Sequence, residues 1–194
     1  MKDNIKQAIK ILKQGGIVIF PSDTTFVISC RMDNNKAVRK LFKIKKRSKN
    51  KAVLVLADSL KMAQKYAWPI SKDVKNKLIK KFWHGPLTIV LKANLQKVSS
   101  LVRGGGTTLG IRVPNHKTAL LLIKEVGVPL LGPSANFQGK KTPFRFEDLN
   151  PDLISQVDLL LSGNTGSYKK PSTIIDCSVK PWKILRQGAV KLDL

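Results

Sequence analysis

The sequence has only two histidines and two cysteines among its 194 residues. His84 and His116 lie far apart, and neither Cys30 nor Cys177 belongs to a CxxC or metal-ligand spacing. No catalytic triad can be recognised from these residues, and no cluster suggests a zinc site. Two isolated cysteines suit a reducing compartment, so we expect a cytoplasmic protein.

Long apolar runs and the common glycine-rich phosphate motifs are also missing. No run approaches the ~20 apolar residues that a membrane span needs. The N-terminus leads into an amphipathic pattern and not into a signal peptide, so we expect no membrane association. There is no Walker A and no GxGxxG motif, and Arg103-Gly104-Gly105-Gly106 resembles neither.

Acidic residues are scarce: the sequence has 12 Asp and Glu but 36 Lys and Arg, which gives a net charge of +24. A surface this basic attracts nucleic acid, nucleotides or anionic membranes. A compositional bias that scatters lysines over the surface explains the charge equally well. The basic residues are not interleaved with aromatic residues on which bases could stack. We therefore expect any tRNA or RNA binding to be weak, salt-sensitive and not sequence-specific.

Short apolar runs bounded by Gly, Pro and Ser predict strands that alternate with amphipathic helices. The predicted strands are 17–20, 26–30, 52–56, 87–91, 108–114, 128–131, 159–161, 172–176 and 183–186. The predicted helices are 3–14, 35–43, 58–67, 71–82, 116–126 and part of 147–157, and 99–107 and 162–171 are predicted loops. We expect an α/β (α+β) fold, a twisted mixed β-sheet with flanking helices, in one domain over residues 1–194.

Polar and cationic side chains recur where the predicted strands end. The turn after the strand at 128–131 places Ser134 and Asn136 at the carboxyl end of that strand, where open sheets bind ligands. An ordinary loop, in which these side chains bond the backbone, is the alternative. The basic run 45–51 precedes a buried strand, so its base is expected to be rigid enough to hold phosphates.

The whole polar set shares two properties: it lacks an obvious nucleophile and is rich in groups that bind anions. Such a set fits a reaction whose substrates supply the nucleophile while the protein positions them and neutralises charge, as in transfers at phosphorus. Its members are Thr24, Lys45, Arg47, Lys51, Thr108, Arg112, Ser134, Asn136, Ser172 and Arg186.

Short motifs in one order carry a resemblance that covers nearly the whole chain. They are FPSDTTF at 20–26, KxR at 45–47, GPLT at 85–88, GIRVP at 110–114, PSAN at 133–136, STIID at 172–176 and ILRxG at 184–188. Each is weak alone, but together they resemble the YrdC family, the threonylcarbamoyl-AMP synthases. The sequence ends soon after the last motif, so it resembles the short form without an extra C-terminal domain.

The resemblance implies a YrdC-like domain with a basic cleft and a specific reaction. L-threonine, bicarbonate or CO2, and ATP would give threonylcarbamoyl-AMP and pyrophosphate, with Mg²⁺ accompanying the triphosphate. Downstream proteins would transfer the threonylcarbamoyl group to adenosine 37 of tRNAs that read ANN codons. By position, ATP would contact Lys45, Arg47, Lys51, Thr108, Asn136 and Arg186. Threonine or its carbamate would contact Thr24, Arg112, Ser134 and Ser172.

The sequence departs from the family pattern at four positions. Phe26 and Val27 stand where tyrosine and glycine are usual, and Ser48 and His84 stand where proline is usual. We expect these changes to affect the threonine pocket more than the nucleotide site. Two alternatives stay open: a paralogue that binds nucleotide or RNA with little synthase activity, and a related enzyme that uses another acceptor. A pure RNA-binding module is the extreme non-enzymatic case.

Overall fold

The computed structural model describes residues 2–192 and has the mixed α/β architecture that the sequence predicts. The helices are α1 (Lys2–Lys13), α2 (Asn35–Ile44), α3 (Leu60–Tyr66), α4 (Lys72–Val74), α5 (Lys80–Phe82), α6 (Ser100–Arg103), α7 (Lys117–Val126) and α8 (Pro151–Ile154). The strands are β1 (Val18–Pro21), β2 (Phe26–Ser29), β3 (Val55–Leu56), β4 (Leu87–Lys92), β5 (Thr108–Arg112), β6 (Leu130–Leu131), β7 (Leu159–Leu160), β8 (Thr173–Asp176) and β9 (Lys183–Arg186).

Within residues 2–192 the strands form two sheets that meet at one edge. The smaller sheet has the order β2-β1-β7, and the larger has the order β6-β3-β5-β4-β8-β9. Both are mixed, because β1 runs antiparallel to β2 and parallel to β7, while β4 runs antiparallel to β5 and parallel to β8. Isolated bridges from Val27 to Ser134 and from Arg31 to Leu130 connect β2 to the region of β6. The loop that follows β6 is therefore held by both sheets.

The helices have the ends that their sequences predict. Asn34 caps α2 by accepting hydrogen bonds from the backbone N–H groups of Lys36 and Ala37. His116 caps α7, accepting from the backbone N–H of Ala119 at 3.4 Å, so this histidine has a structural role. α7 ends at Gly127, whose φ of 82° lies in the left-handed region that glycine adopts without a steric penalty.

The hydrophobic core extends across both sheets, and one part of it lies where α1 and α7 pack on the smaller sheet. Leu12 of α1, Ile19 and Phe20 of β1, and Leu122 and Ile123 of α7 are fully buried. Burying a side chain of this size stabilises a fold by roughly 1.5–3 kcal/mol. This packing fixes the end of β1, from which the turn at 22–25 approaches the larger sheet.

Some sequence predictions need correction. The predicted strand at 52–56 is reduced to Val55–Leu56, because only these residues pair with β5 and β6. The predicted helix at 71–82 contains a π-helical turn, Lys75–Ile79, between α4 and α5. The predicted helix at 147–157 is a 3-10 turn, Phe146–Asp148, followed by α8, because Asn150 caps a new helix that begins at Pro151.

The predicted flexible loop at 99–107 instead contains the short helix α6. The side chain of Ser99 accepts from the backbone N–H of Val102, and Gly104 ends the helix with a φ of 59°. The glycine run therefore ends a helix. The sequence alone did not distinguish a short helix followed by glycines from a flexible loop. Over the described part of the chain, no helix has the length and apolarity needed to cross a membrane.

Candidate active site

A cleft of about 450 Å³ lies over one face of the larger sheet. Thr108, Gly110 and Arg112 of β5 line it, as the alternation of that strand predicts. Thr88 and Val90 of β4, and Ser172, Ile174 and Asp176 at β8, continue the floor across neighbouring strands. The loop after β6 and the basic segment around residue 45 form the walls. The volume is in the usual range for small-molecule sites.

A buried ion pair is the most constrained feature of the cleft. Arg112 and Asp23 are each 3% exposed, and Nη2 of Arg112 donates to Oδ1 of Asp23. Nη1 of Arg112 donates to Oγ1 of Thr24 at 2.8 Å, and Nε donates to the carbonyl of Gly85 at 3.0 Å. The guanidinium is thereby fixed at the cleft, and a planar fork in this position suits a carboxylate ligand.

A second cationic group approaches Arg112 from β9. Nη2 of Arg186 donates to the carbonyl oxygen of Ser172 at 2.7 Å and to its hydroxyl at 3.1 Å. The hydroxyl of Ser172 also lies 2.9 Å from that of Thr88. Partial burial, followed by the positive charge of Arg112, lowers the pKa of Arg186. Both guanidinium groups line the cleft, so an anionic ligand there would interact favourably with each of them.

Lys45 lies beneath the loop after β6. It is 2% exposed, and its Nζ donates to the carbonyl oxygens of Ser134 and Asn136. Burial, followed by the charge of Arg47, lowers the pKa of Lys45 to about 7. Above the lysine, Oγ of Ser134 donates to Oδ1 of Asn136 at 2.5 Å. Lys45 thus supports the loop through two backbone carbonyls and through Oδ1 of Asn136, which lies 3.5 Å from its Nζ. Nδ2 of Asn136 donates to the carbonyl of Lys140, so this side chain both lines the cleft and bonds the loop backbone.

Arg47 closes the same wall. Its guanidinium lies 5.8 Å from the ring centroid of Phe42, and Nη2 donates to the carbonyl of Ala52 at 2.5 Å. Its Nε is buried and has no hydrogen-bond partner among the described residues, as is also true of Oδ2 of Asp23. Burial lowers the pKa of Arg47. Buried polar groups are usually satisfied, so these two atoms are exceptions among the described residues.

The structure brings every predicted site residue to this cleft except Lys51. Thr24, Lys45, Arg47, Thr108, Arg112, Ser134, Asn136, Ser172 and Arg186 all line it. Lys51 is exposed and does not line the cleft, because it lies in a turn whose N–H bonds back to Ser48. Its assignment to ATP stays a prediction from resemblance, without support from this geometry.

The departures from the family pattern lie outside the cleft wall. Phe26 and Val27 are buried in β2, and the Phe26 ring packs edge-on against Phe146 with centroids 6.0 Å apart. His84 is exposed. Ser48 is exposed and its backbone N–H donates to Oε1 of Gln138, which lines the cleft. Val27 forms a bridge with Ser134, so these two positions reach the site indirectly. None of these four side chains lines the cleft, so the structure shows no direct contact through which they would change the expected threonine pocket.

Sequence reasoning missed Asp23 and Thr88 as members of the site. The sequence contained one signal for Asp23: it is one of only 12 acidic residues in a very basic chain, and it lies in a turn between two predicted buried strands. An acid in that position is a candidate partner for a buried arginine. Thr88 alternates with core residues of β4, and its side chain bonds Ser172. Neither partner is close in sequence, so only the fold shows these contacts.

The arrangement defines a class: an α/β protein whose cationic cleft suits anionic ligands and whose described lining residues include no nucleophile paired with a base. A model of the Sua5/YciO/YrdC family, described as "Telomere recombination", matches residues 10–188. The chain belongs to this family.

Curated relatives and a solved structure agree with the assignment. A threonylcarbamoyl-AMP synthase of Vibrio vulnificus is 33% identical over 189 residues, which are 97% of this chain and 100% of that protein. A threonylcarbamoyl-AMP synthase of Bacillus subtilis is 31% identical over 96% of this chain and 54% of its own. Pyrococcus abyssi Sua5 complexed with L-threonine superposes with a TM-score of 0.90 at 29% identity, over 95% of this chain and 54% of that one. The chain thus spans about half the length of the latter two.

We expect Asp23→Asn to destabilise the fold, because it leaves the buried charge of Arg112 without its counter-ion. Removing one partner of a buried pair costs about 3–5 kcal/mol. Asp33→Asn is the matched control, since Asp33 pairs with Arg31 near the surface, where a pair contributes about 1 kcal/mol or less. Urea unfolding of both variants measures the difference. Equal losses would mean that the Arg112–Asp23 pair is no more important than a surface pair.

We expect the lowered pKa of Lys45 to make stability rise with pH. Between about 7, the folded value, and the ordinary value of 10.5, the unfolded chain binds the proton more tightly than the folded chain. The unfavourable burial of the ammonium is therefore fully present below pH 7 and is relieved as pH rises toward the unfolded value.

Urea unfolding of wild type and Lys45→Met at pH 7 and pH 9 tests this expectation. The wild type should gain more stability than the variant over this interval. Lys46→Met, which removes an exposed neighbouring charge, controls for the general loss of positive charge at high pH. A wild-type gain no larger than that of Lys45→Met would show that Lys45 titrates normally.

Proposed function

We propose that this chain is an L-threonylcarbamoyladenylate synthase, a nucleotidyltransferase that uses L-threonine, bicarbonate or CO2, and ATP. The proposal rests on one observation: residues that suit an amino acid and residues that suit phosphates line the same cleft. Arg112, Thr24 and Ser172 suit an amino-acid carboxylate and its hydroxyl, while Lys45 and Arg47 suit phosphates. Family membership and relatives that are named threonylcarbamoyl-AMP synthases support the same activity.

The proposed chemistry needs positioning and charge neutralisation, and no protein nucleophile. The threonine amine attacks CO2, a C–N bond forms and the amine loses a proton, which gives a carbamate. A carbamate oxygen then attacks the α-phosphorus of ATP, and the bond to the β-phosphate oxygen breaks to release pyrophosphate. Both nucleophiles come from substrates, which agrees with a cleft of hydroxyls, amides and cations.

Each part of the cleft has a role in this proposal. Arg112, held by Asp23, binds the threonine carboxylate, and Thr24 and Ser172 orient the hydroxyl and the carbamate. Arg186 lies beside Arg112 and suits the α-phosphate, where the two substrates meet. Thr108 and Asn136 contact the nucleotide, and Arg47 neutralises the phosphates from the wall. Lys45, whose Nζ is bonded to two loop carbonyls, acts on the phosphates through the loop it supports and through its charge.

Mg²⁺ fits this site as a companion of ATP. Among the described residues, no group of three or more His, Cys, Asp or Glu could hold a metal ion, so the triphosphate oxygens would be its main ligands. Asp176 is the carboxylate that lines the cleft, and its Oδ1 already accepts from the backbone and side chain of Ser178. The protein residues themselves bind, orient and neutralise the substrates.

The proposal covers residues 1–194 as one functional domain in the cytoplasm, whose product serves downstream transfer proteins that modify tRNA. A paralogue with little synthase activity has no observation in its favour, since the departures at Phe26, Val27 and His84 do not line the cleft. The same holds for an enzyme with another acceptor.

We expect pyrophosphate release from ATP that requires both L-threonine and bicarbonate. The reason is that the carbamate, and not water or the free amino acid, is the proposed nucleophile at the α-phosphorus. Coupled detection of pyrophosphate, with mass detection of the acyl-adenylate, measures it. Release without any amino acid, or with serine as well as threonine, would contradict the proposed acceptor. No release with threonine would favour the paralogue.

We expect Ser134→Ala to lower pyrophosphate release at least tenfold, about 1.4 kcal/mol of transition-state stabilisation. Its melting temperature should stay within a few degrees, about 1 kcal/mol or less, because Lys45 holds this loop through backbone carbonyls that the substitution leaves in place. Asn136→Ala should lower pyrophosphate release to a similar extent but should also cost stability, because Nδ2 of Asn136 donates to the carbonyl of Lys140 within the same loop. Ser155→Ala, which removes a surface hydroxyl bonded to the carbonyl of Asp152, is the control. Destabilised but fully active loop variants would defeat the site assignment.

A further inference from the structure

A second concave surface lies at the far end of β9 from the cleft. Trp182 precedes the strand, and Arg186 ends it. Over four residues, a strand spans roughly 13 Å. This surface, the Trp182 groove, has a volume of about 670 Å³. Its lining residues, Lys77, Leu78, Lys81, Phe82, Pro181, Trp182, Lys191 and Leu192, include none that lines the cleft.

One wall of the groove comes from the π-helical turn and α5. Lys77 and Lys81 are four residues apart, as are Leu78 and Phe82, so each pair shares a helix face. Leu78 is buried and anchors this wall in the core, while both lysines are exposed. The π turn, Lys75–Ile79, is a rare interruption that often occurs at functional positions. The wall is therefore rigid at its base and cationic at its rim.

The fold also assembles an aromatic surface that the sequence does not contain as a stripe. Phe82 and Trp182 are far apart in the chain, yet both line the groove and both are half-buried. A half-buried ring keeps part of its surface available while packing holds its orientation. Rings held in this way are suitable platforms for stacking by nucleobases.

The charge of the groove is of one sign. Lys77, Lys81 and Lys191 are exposed at its rim, and none of its described lining residues is acidic. A neighbouring carboxylate, Asp73, lies 3.9 Å from Lys180 and is thereby paired. A third cavity, around Phe144 and Phe146, also combines aromatic and basic residues, but Glu147 and Asp148 line it.

We propose that the Trp182 groove binds unpaired nucleotides of a single-stranded nucleic acid. Bases stack on Trp182 and Phe82, and the backbone phosphates contact Lys77, Lys81 and Lys191. Stacking surfaces occur here together with cations, and none of the lining residues within 2–192 is acidic. This combination favours a nucleic acid over an acidic peptide, which would use the lysines and leave the rings unused. The proposal does not depend on the synthase activity, because the groove and the cleft share no lining residue.

Fluorescence anisotropy of a labelled single-stranded oligonucleotide of about twelve nucleotides, a length within known single-strand site sizes, tests the aromatic part. We expect Trp182→Ala to weaken binding at least about fivefold, as loss of one stacking platform implies, and Trp182→Phe to restore most of it. Trp68→Ala is the matched control, since Trp68 is 70% exposed and does not line the groove. Equal affinity of wild type and Trp182→Ala, with both variants folded by circular dichroism, would overturn the proposal.

The lysine part is tested by salt dependence. Replacing Lys77, Lys81 and Lys191 with Gln should lower the slope of log affinity against log salt by about two units, since each phosphate contact on a single strand contributes roughly 0.7. Replacing Lys6, Lys10 and Lys13 of α1 removes the same charge from another exposed face and should leave the slope unchanged. Equal changes in both triple variants would show a diffuse field and overturn the site.

Competition binding experiments distinguish a nucleic acid from two other ligands, an acidic peptide and a free nucleotide. A poly-glutamate peptide or free AMP should displace the oligonucleotide only at much higher concentration. Displacement by either at a concentration comparable to the oligonucleotide would identify an acidic peptide or a free nucleotide as the occupant and overturn this proposal. None of these measurements requires turnover, so failure of the groove and failure of the proposed synthase activity are separate results.

Discussion

The structure depends most on the buried pair between Arg112 and Asp23, because this pair joins the two sheets at the cleft. Arg112 belongs to the larger sheet, and Asp23 lies in the turn between β1 and β2 of the smaller one. A buried pair of this kind adds little net stability compared with an apolar contact. Its contribution is geometric: it fixes the position of an arginine that lines the cleft, and it neutralises one charge in a crowded cationic site.

The cationic crowding has an energetic consequence for the folded protein. Burial, followed by the charge of Arg112, lowers the pKa of Arg186, and burial, followed by the charge of Arg47, lowers the pKa of Lys45. The folded state therefore holds positive charges in places where they repel and are partly desolvated. A polyanion that binds only the folded state offsets this cost and stabilises the protein by mass action. The cleft is thus arranged for a ligand that brings several negative charges.

The sequence predicted the parts of this site that depend on local chemistry. Alternation along β5 placed Thr108 and Arg112 on one face, and the Gly-Pro-Ser turn placed Ser134 and Asn136 at a strand end. It could not show that Lys45 is buried, because the loop that covers it lies 89 residues away in the chain. The same limit applies to Asp23, whose partner Arg112 is also 89 residues away. Nor did alternation and apolar runs reveal the π turn at Lys75–Ile79, since the apolar positions around it keep helical spacing.

The net charge of +24 is uninformative until the fold assigns the cations to surfaces. In the cleft, lysine and arginine stand with hydroxyls and amides, and no aromatic side chain is among the described lining residues. In the Trp182 groove, lysines lie with two aromatic rings, and none of the lining residues that the structure describes is acidic. Phosphate alone is a sufficient ligand for the first arrangement, whereas the second also offers stacking surfaces to a base. One excess of positive charge can therefore serve two different recognitions, and the neighbours of each cation determine which one it serves.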